Sequence, residues 1–219
     1  MGWQGSPHRS GSQRRSSAAR PTDDELLDAA REVFAAQGFT HATMGAIAER
    51  ADSTKPTLYA HFGDKAALYR ALVARETVAL QAWVLDVYES AAPLRVDLQV
   101  HGYVMAMFTY AATHPDSFRI LFDSAVDEMS NERRSLVDTI TNRVTEQISA
   151  FLTELGRPSG PSVELLAAMM VGLVGRAAST LSHAGDVDPI AAGELASGFI
   201  NAAIANLDPA LLDAVDRVG

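Results

Sequence analysis

Cysteine is absent from this 219-residue chain. That absence excludes a disulfide framework, a thiolate nucleophile and cysteine-ligated metal, and nothing demands an oxidising compartment. Long apolar runs are scarce too: the segment Leu165 to Leu181 is interrupted by Arg176 and dotted with Gly and Ser, and reads as short of a membrane span. A soluble, cytoplasmic protein with no membrane partner is the expectation. Also missing are His-Glu-x-x-His, any helix with two His at ligand spacing, a Gly-x-Ser-x-Gly elbow and a phosphate loop. No metal, cofactor or enzymatic activity is therefore expected. Acids are absent from residues 1–20, which carry Arg9, Arg14, Arg15 and Arg20 among Ser, Gly and Gln. Lacking an apolar stretch, this segment is not a secretion signal. With almost nothing to bury, it reads as a disordered basic arm.

Charge is sorted along the chain. A net charge of −9 suits a DNA-binding protein poorly until it is divided: residues 1–70 sum to +1 and residues 71–219 to −10. Any nucleic-acid contact is therefore expected in the first part. With 47% hydrophobic residues, the chain can bury the core of a small domain plus a larger one.

Structure is expected to begin at Thr22. Thr22-Asp23-Asp24-Glu25 has the form of a capping box, and Leu26, Leu27, Ala30, Val33 and Phe34 then recur at helical spacing as far as Gly38. Thr43 can cap a second, short helix, with Ile47 and Ala48 inward; Asp52 and Ser53 make a tight turn. Thr54 can cap a third helix in which Pro56 falls in the tolerant first turn. Leu58 and Phe62 return to the core, and Gly63-Asp64 opens a fourth helix that runs from Lys65 past Trp83 toward Pro93. Breaks at His114-Pro115, Gly156 to Pro158, Gly160-Pro161 and Gly185 to Pro189 divide the rest into helices at about 95–113, 116–128, 132–155, 162–183 and 189–206. No strand-like alternation of useful length interrupts them. The fold class is all-α: arm 1–20, an N-terminal three-helix helix-turn-helix domain over 21–68, and a larger helical domain over 69–219.

Two short helices joined by a tight turn are the geometry that lays the second helix in a DNA major groove. With Leu58 and Phe62 inward, Lys55, Pro56, Thr57, Tyr59 and His61 are left for DNA or solvent, although Tyr59 and Phe62 also suit the core of a three-helix unit. The run Leu26-Leu27-Asp28-Ala29-Ala30, Val33-Phe34-Ala35, Gly38-Phe39, Thr43, Ile47-Ala48-Glu49-Arg50-Ala51 and Lys55-Pro56-Thr57-Leu58-Tyr59-Ala60-His61-Phe62, with Lys65 and Leu68, resembles the DNA-binding domain of the tetracycline-repressor (TetR) family. The resemblance covers Thr22 to about Leu72. It implies phosphate contacts from Thr43 and Thr54 at helix N-termini and from Tyr59, His61 and Lys65. It further implies a guanine edge for Lys55, a base for Thr57 and a thymine methyl for Pro56. Asp52 stands where the family commonly has Gly, Ser53 where an apolar residue is common, and Pro56 where Gly is common, so the operator read by Pro56 and Ala60 is this chain's own.

The second part concentrates aromatic and Met side chains on a few helices. Trp83, Tyr103, Met107, Phe108, Tyr110, Phe122 and Met169 suit either a core or an adaptable apolar pocket, and His101 and Arg176 are polar groups that need partners if buried. The family resemblance favours an effector pocket. The last two long helices are rich in small residues. By the same resemblance they pair with their symmetry mates in a homodimer, with Gly172, Gly175, Ala178, Ala192, Ala196 and Phe199 at the interface. The reading that results is a repressor that binds a palindromic, double-stranded operator as a dimer and is released by a small hydrophobic effector; a helical small-molecule-binding protein or enzyme without operator binding is the alternative.

Overall fold

The computed structural model describes residues 21–91, 94–122, 130–154, 156, 159–183 and 187–217; the arm over 1–20 and the expected helical stretch over 123–128 lie outside them. The described residues form ten α-helices and no strand: α1 (Asp23–His41), α2 (Met44–Arg50), α3 (Lys55–Phe62), α4 (Lys65–Ala91), α5 (Val96–Thr113), α6 (Pro115–Phe122), α7 (Ser130–Glu154), α8 (Pro161–His183), α9 (Pro189–Ala205) and α10 (Pro209–Asp216).

Local chemistry accounts for the first four helices. Thr22 and Glu25 form the reciprocal capping box, with Thr22 N–H donating to Glu25 Oε2 at 2.8 Å and Glu25 N–H to Thr22 Oγ1 at 3.3 Å. Each satisfies a donor that the first helical turn leaves without an intrahelical partner. Gly38 adopts φ 72° and breaks α1, although helical hydrogen bonding resumes as far as His41. Thr43, Thr54 and Asp64 open α2, α3 and α4 by accepting from Ala46, Thr57 and Ala67 N–H. Between α2 and α3 the turn passes through Asp52 at φ 47°, the one non-glycine described residue with positive φ.

Leu26, Phe34, Ile47 and Leu58 are sealed in one core with Leu68, Tyr69, Leu72 and Val73 from the start of α4. Phe34, Phe39 and Tyr69 meet edge to face or stacked at 4.9–5.9 Å. The first turns of α4 therefore complete the helix-turn-helix unit, and α1 also packs on α6, which fixes that unit to the larger helical layer.

In that layer α5 is central, packed on α4, α6, α8 and α9. Its approach to α9 is so close that a Cβ on Gly193 would stand 2.5 Å from Met105 Sδ. The α8 segment corrects the membrane expectation: Pro161–Leu181 is long and apolar enough to span, by length and composition. Its inward face, Val163, Ala167 and Ala178, is buried in the protein's own core, while 22% of the apolar window as a whole is buried. The short α10 has no counterpart in the sequence reading. Asp208 caps it through Ala210 N–H at 2.9 Å, and Asp216 pins its far end by accepting from Ser162 N–H at 2.8 Å and Oγ–H at 2.9 Å at the start of α8.

Candidate nucleic-acid interface and ligand cavity

On α3 the buried Leu58 turns the helix so that Lys55, Pro56, Tyr59, Ala60 and His61 are exposed and Thr57 half-buried. Tyr59 is 50% exposed, a large aromatic left in solvent. Thr54 Oγ1 and Thr57 Oγ1 share a hydrogen bond of 2.9 Å, which orients both hydroxyls at the start of the helix. The Lys55 stem folds back over α2, so close to Gly45 that a Cβ there would meet Lys55 Cε at 2.7 Å. Thr43, also exposed, caps the neighbouring helix.

Two residues of the expected DNA set carry internal tasks. His61 Nδ1–H donates to Asp23 Oδ1 at 2.5 Å, tying α3 to α1. Lys65 Nζ donates to the carbonyls of Phe39 at 2.8 Å, Ala42 at 3.0 Å and Thr40 at 3.4 Å, and stands 4.6 Å from the Phe39 ring centroid. All three ammonium protons are thereby engaged at the end of α1, so Lys65 is placed to cap a helix C-terminus.

A cavity of about 470 Å³ runs between α4, α5, α7, α8, α9 and α10, within the size range of ligand pockets. Of the expected effector residues, Tyr103, Met107, Phe122 and Met169 line it. The others lie elsewhere. Trp83 donates from Nε1 to Ala106 O at 3.1 Å and packs against Tyr110 and His114. Phe108 and Tyr110 are core residues, 2% exposed. His101 faces Ser197 Oγ at 3.2 Å and Glu194 at 3.7 Å, and Arg176 is exposed. Sequence reading passed over the aliphatic wall of α7 and the closing residues Leu207, Pro209 and Leu212.

Burial raises the phenols of this region above their usual range. Tyr110 is pushed up to about 12, by burial first and then by the nearby Glu76 carboxylate, against a hydrogen bond with Ser117. Tyr88 and Tyr103 are raised by the same desolvation, with the Arg143 guanidinium pulling the other way.

The expected dimer residues divide by face. Gly172 and Phe199 are exposed. Ala178 and Ala196 are buried within the chain, Gly175 faces Phe122 at ordinary contact distance, and Ala192 packs on the core. The outer faces of α8 and α9 also carry Leu165, Ile190 and Leu195, between 51% and 76% exposed, while Met169 and Phe199, each 61% exposed, also line the cavity.

The model of the tetR family of bacterial regulatory proteins matches residues 26–72, the span that folds into α1–α3 and the opening turns of α4. The whole described fold agrees with it. A TetR-like transcriptional regulator from Rhodococcus sp. RHA1 superposes with a TM-score of 0.66 at 25% identity, covering 89% of this chain and 100% of that one. Over residues 26–72 the chain is a match to the tetR family. Among curated tetR-type relatives, the HTH-type transcriptional activator FasR of Mycolicibacterium smegmatis is 29% identical over 153 residues, 68% of this chain and 66% of FasR. The HTH-type transcriptional regulator UidR of Escherichia coli K12 is 41% identical over 58 residues, 26% of this chain and 30% of UidR. The chain thus spans less than two thirds of the length of either relative.

Proposed function

We propose that this protein is a DNA-binding transcriptional regulator that binds a palindromic operator as a two-fold homodimer, represses by occupying it, and is released when a small molecule fills the α4–α10 cavity. The observation that carries the DNA half is the outward face of α3: Lys55, Pro56, Thr57 and Tyr59 stand clear of the core on a helix held by Thr54 and, through His61, by α1. In this reading Thr43, Thr54 and Tyr59 hold phosphates, while Lys55, Pro56 and Thr57 read base edges. The division is 21–68 for the reading head and 69–219 for effector binding and dimerisation, and the work is done on DNA in the cytoplasm. A dimer through the apolar outer faces of α8 and α9 supplies two heads, matched to half-sites about one helical turn, roughly 34 Å, apart.

The effector half rests on α4. Its start lies in the head core, and Val84 and Tyr88 near its end line the cavity; from Leu68 to Tyr88 is about 30 Å of rigid helix. A ligand that shifts the cavity wall tilts this rod and changes the separation of the heads. Coupling of this kind is typically about 1–3 kcal/mol and reciprocal, so operator DNA weakens the ligand by the same factor.

The test is Lys55→Ala with Tyr59→Ala. Loss of sequence-specific, salt-sensitive binding to the DNA flanking the gene, with helicity and thermal unfolding unchanged, is the expected result. Unaltered operator affinity would leave a helical small-molecule-binding protein as the better reading. A reporter under the same promoter reads the sign of regulation, which in FasR is activation by name.

A further inference from the structure

The lining of the cavity bears on what enters it. Its walls are built in register along three helices: Val96, Val100, Val104 and Met107 on α5, Ile140, Val144, Ile148 and Phe151 on α7, and Leu166, Met170 and Leu173 on α8. Each row repeats at three- and four-residue spacing over two or more turns. From Val96 to Met107 the slot follows α5 for about 16 Å, and the side chains of these three rows carry no hydrogen-bonding group. This is the shape of a slender chain.

No Asp, Glu, Lys, Arg or His lines the slot among the described residues. A buried charge without a partner is strongly disfavoured. The cation that comes near, Arg143, stands 5.9 Å over the Tyr88 ring and is already paired with Glu146 at 3.2 Å. The polar side chains in the wall other than the buried Tyr88 are Gln99, which donates to Leu94 O at 2.8 Å, and the pair Tyr103 and Gln147. Gln147 Nε2–H donates to Tyr103 Oη at 2.5 Å. That bond uses one amide proton and one phenol lone pair. The phenol proton and the Gln147 carbonyl are left as one donor and one acceptor on the slot wall.

Resting on the reading of this cavity as the effector site, we infer that the ligand is an uncharged, slender, largely hydrocarbon molecule carrying one neutral oxygen function, an alcohol or an ester, that hydrogen-bonds the Tyr103–Gln147 pair. A hydroxyl satisfies both groups at once, accepting from the phenol and donating to the amide carbonyl. An ester carbonyl accepts from the phenol. A carboxylate of the same length brings a charge that nothing on the wall neutralises.

The experiment is calorimetric titration of the full chain with dodecanol, methyl dodecanoate and dodecanoate, chains of about the slot's length, below their aggregation limits. The alcohol and the ester are expected to bind at least about tenfold more tightly than the carboxylate at neutral pH. Tyr103→Phe combined with Gln147→Leu keeps the volume of the wall, and is expected to remove about tenfold of the dodecanol affinity without lowering the thermal midpoint. Equal or tighter binding of dodecanoate would overturn the inference, as would failure of all three probes to bind. So would a double variant that folds and binds dodecanol as the parent does; if that variant misfolds, Tyr103→Phe alone carries the same comparison. Dodecanol binding with the stated selectivity but no change in operator affinity would uphold the ligand class and refute the effector reading, so the two stand or fall separately.

Discussion

Glu76 is the sharpest place to test how the reading head is joined to the rest of the molecule. It sits on α4 with only 3% of its surface exposed. Its Oε1 accepts from Arg75 Nη2 at 2.8 Å and stands 3.7 Å from Arg31 Nη1 on α1. Arg75 continues across to α1 through Asp28 at 2.9 Å and the Asp24 carbonyl at 3.2 Å. Removing one partner of a fully buried ion pair costs about 3–5 kcal/mol, because the other charge is left uncompensated. Here the side chains of Arg31 and Arg75 keep 31% and 25% exposure, and Arg75 retains Asp28, so the solvent-screened cost of Glu76→Gln should be nearer 2 kcal/mol. For a chain of this size that is a thermal midpoint lower by about 4–8 °C at fixed protein concentration. Glu76→Gln with Arg31→Met, combined in a double-mutant cycle with the two singles, should show coupling of about 0.5–2 kcal/mol. A Glu76→Gln protein within about 0.5 kcal/mol of the parent in urea unfolding, the range of an ordinary surface substitution, would refute the claim that this carboxylate holds α1 to α4.

Asp52 at φ 47° should accept Gly without loss, whereas Asp52→Val should cost about 1–2 kcal/mol and weaken operator binding, because a β-branched residue resists the left-handed region; chemical denaturation of both variants checks it, and a fully stable Val variant would sink it. Gly160→Ala would put a Cβ 2.5 Å from the Asp216 carboxyl carbon, displacing the group that accepts twice from Ser162. Hydrogen–deuterium exchange in α10 should accelerate and binding in the cavity weaken, with no change expected in α1–α3. In alkali, Tyr110 titrates near 12 when folded against about 10 unfolded. The folded state then binds more protons between those values, so stability is complete below about pH 10 and falls through about pH 12, with Tyr88 and Tyr103 adding in the same direction. Tyr110→Phe should flatten part of that fall, and an unchanged profile would contradict the assignment. Leu195→Asp with Phe199→Asp, both on the uncovered face of α9, should yield monomers in sedimentation and operator affinity lower by at least about a hundredfold, since bivalent engagement is lost.

The reading head was legible from sequence because its determinants are local. Thr22 with Glu25, Thr43, Thr54 and Asp64 are side chains that bond to backbone within three residues, and the left-handed residues Gly38 and Asp52 stand where the helical periodicity stops. Even so, composition could not distinguish a Lys65 reserved for phosphate from one that also caps α1. That distinction depends on where the carbonyls of Phe39, Thr40 and Ala42 point, which a break in α1 determines at Gly38.

In the second part the same kind of reasoning loses its hold, and the small residues show why. A Gly- and Ala-rich face announces that something approaches closely, but not what. On α9 the close neighbour is the chain's own α5, with Met105 and Phe108 against Gly193 and His101 against Ser197, so Ala196 and Gly193 are spent inside the protomer. In the proposed dimer the face left for a partner carries Phe199, already expected there, and Leu195, a large side chain that only the fold reveals as uncovered. The cavity follows the same logic. Aromatic residues stand out in a sequence, yet Trp83, Phe108 and Tyr110 pack one another or the core, whereas Tyr103 and Phe122 stand in a slot walled mostly by Val, Ile, Leu and Met at ordinary helical spacing. Nothing in that spacing distinguishes a core from a space, because a cavity is a difference between the volume that neighbouring helices enclose and the volume that their side chains fill. Only the Asp208-Pro209 pair offered a missed local signal. It repeats the Asp188-Pro189 start of α9, and it begins the helix whose Leu212 helps to close the slot.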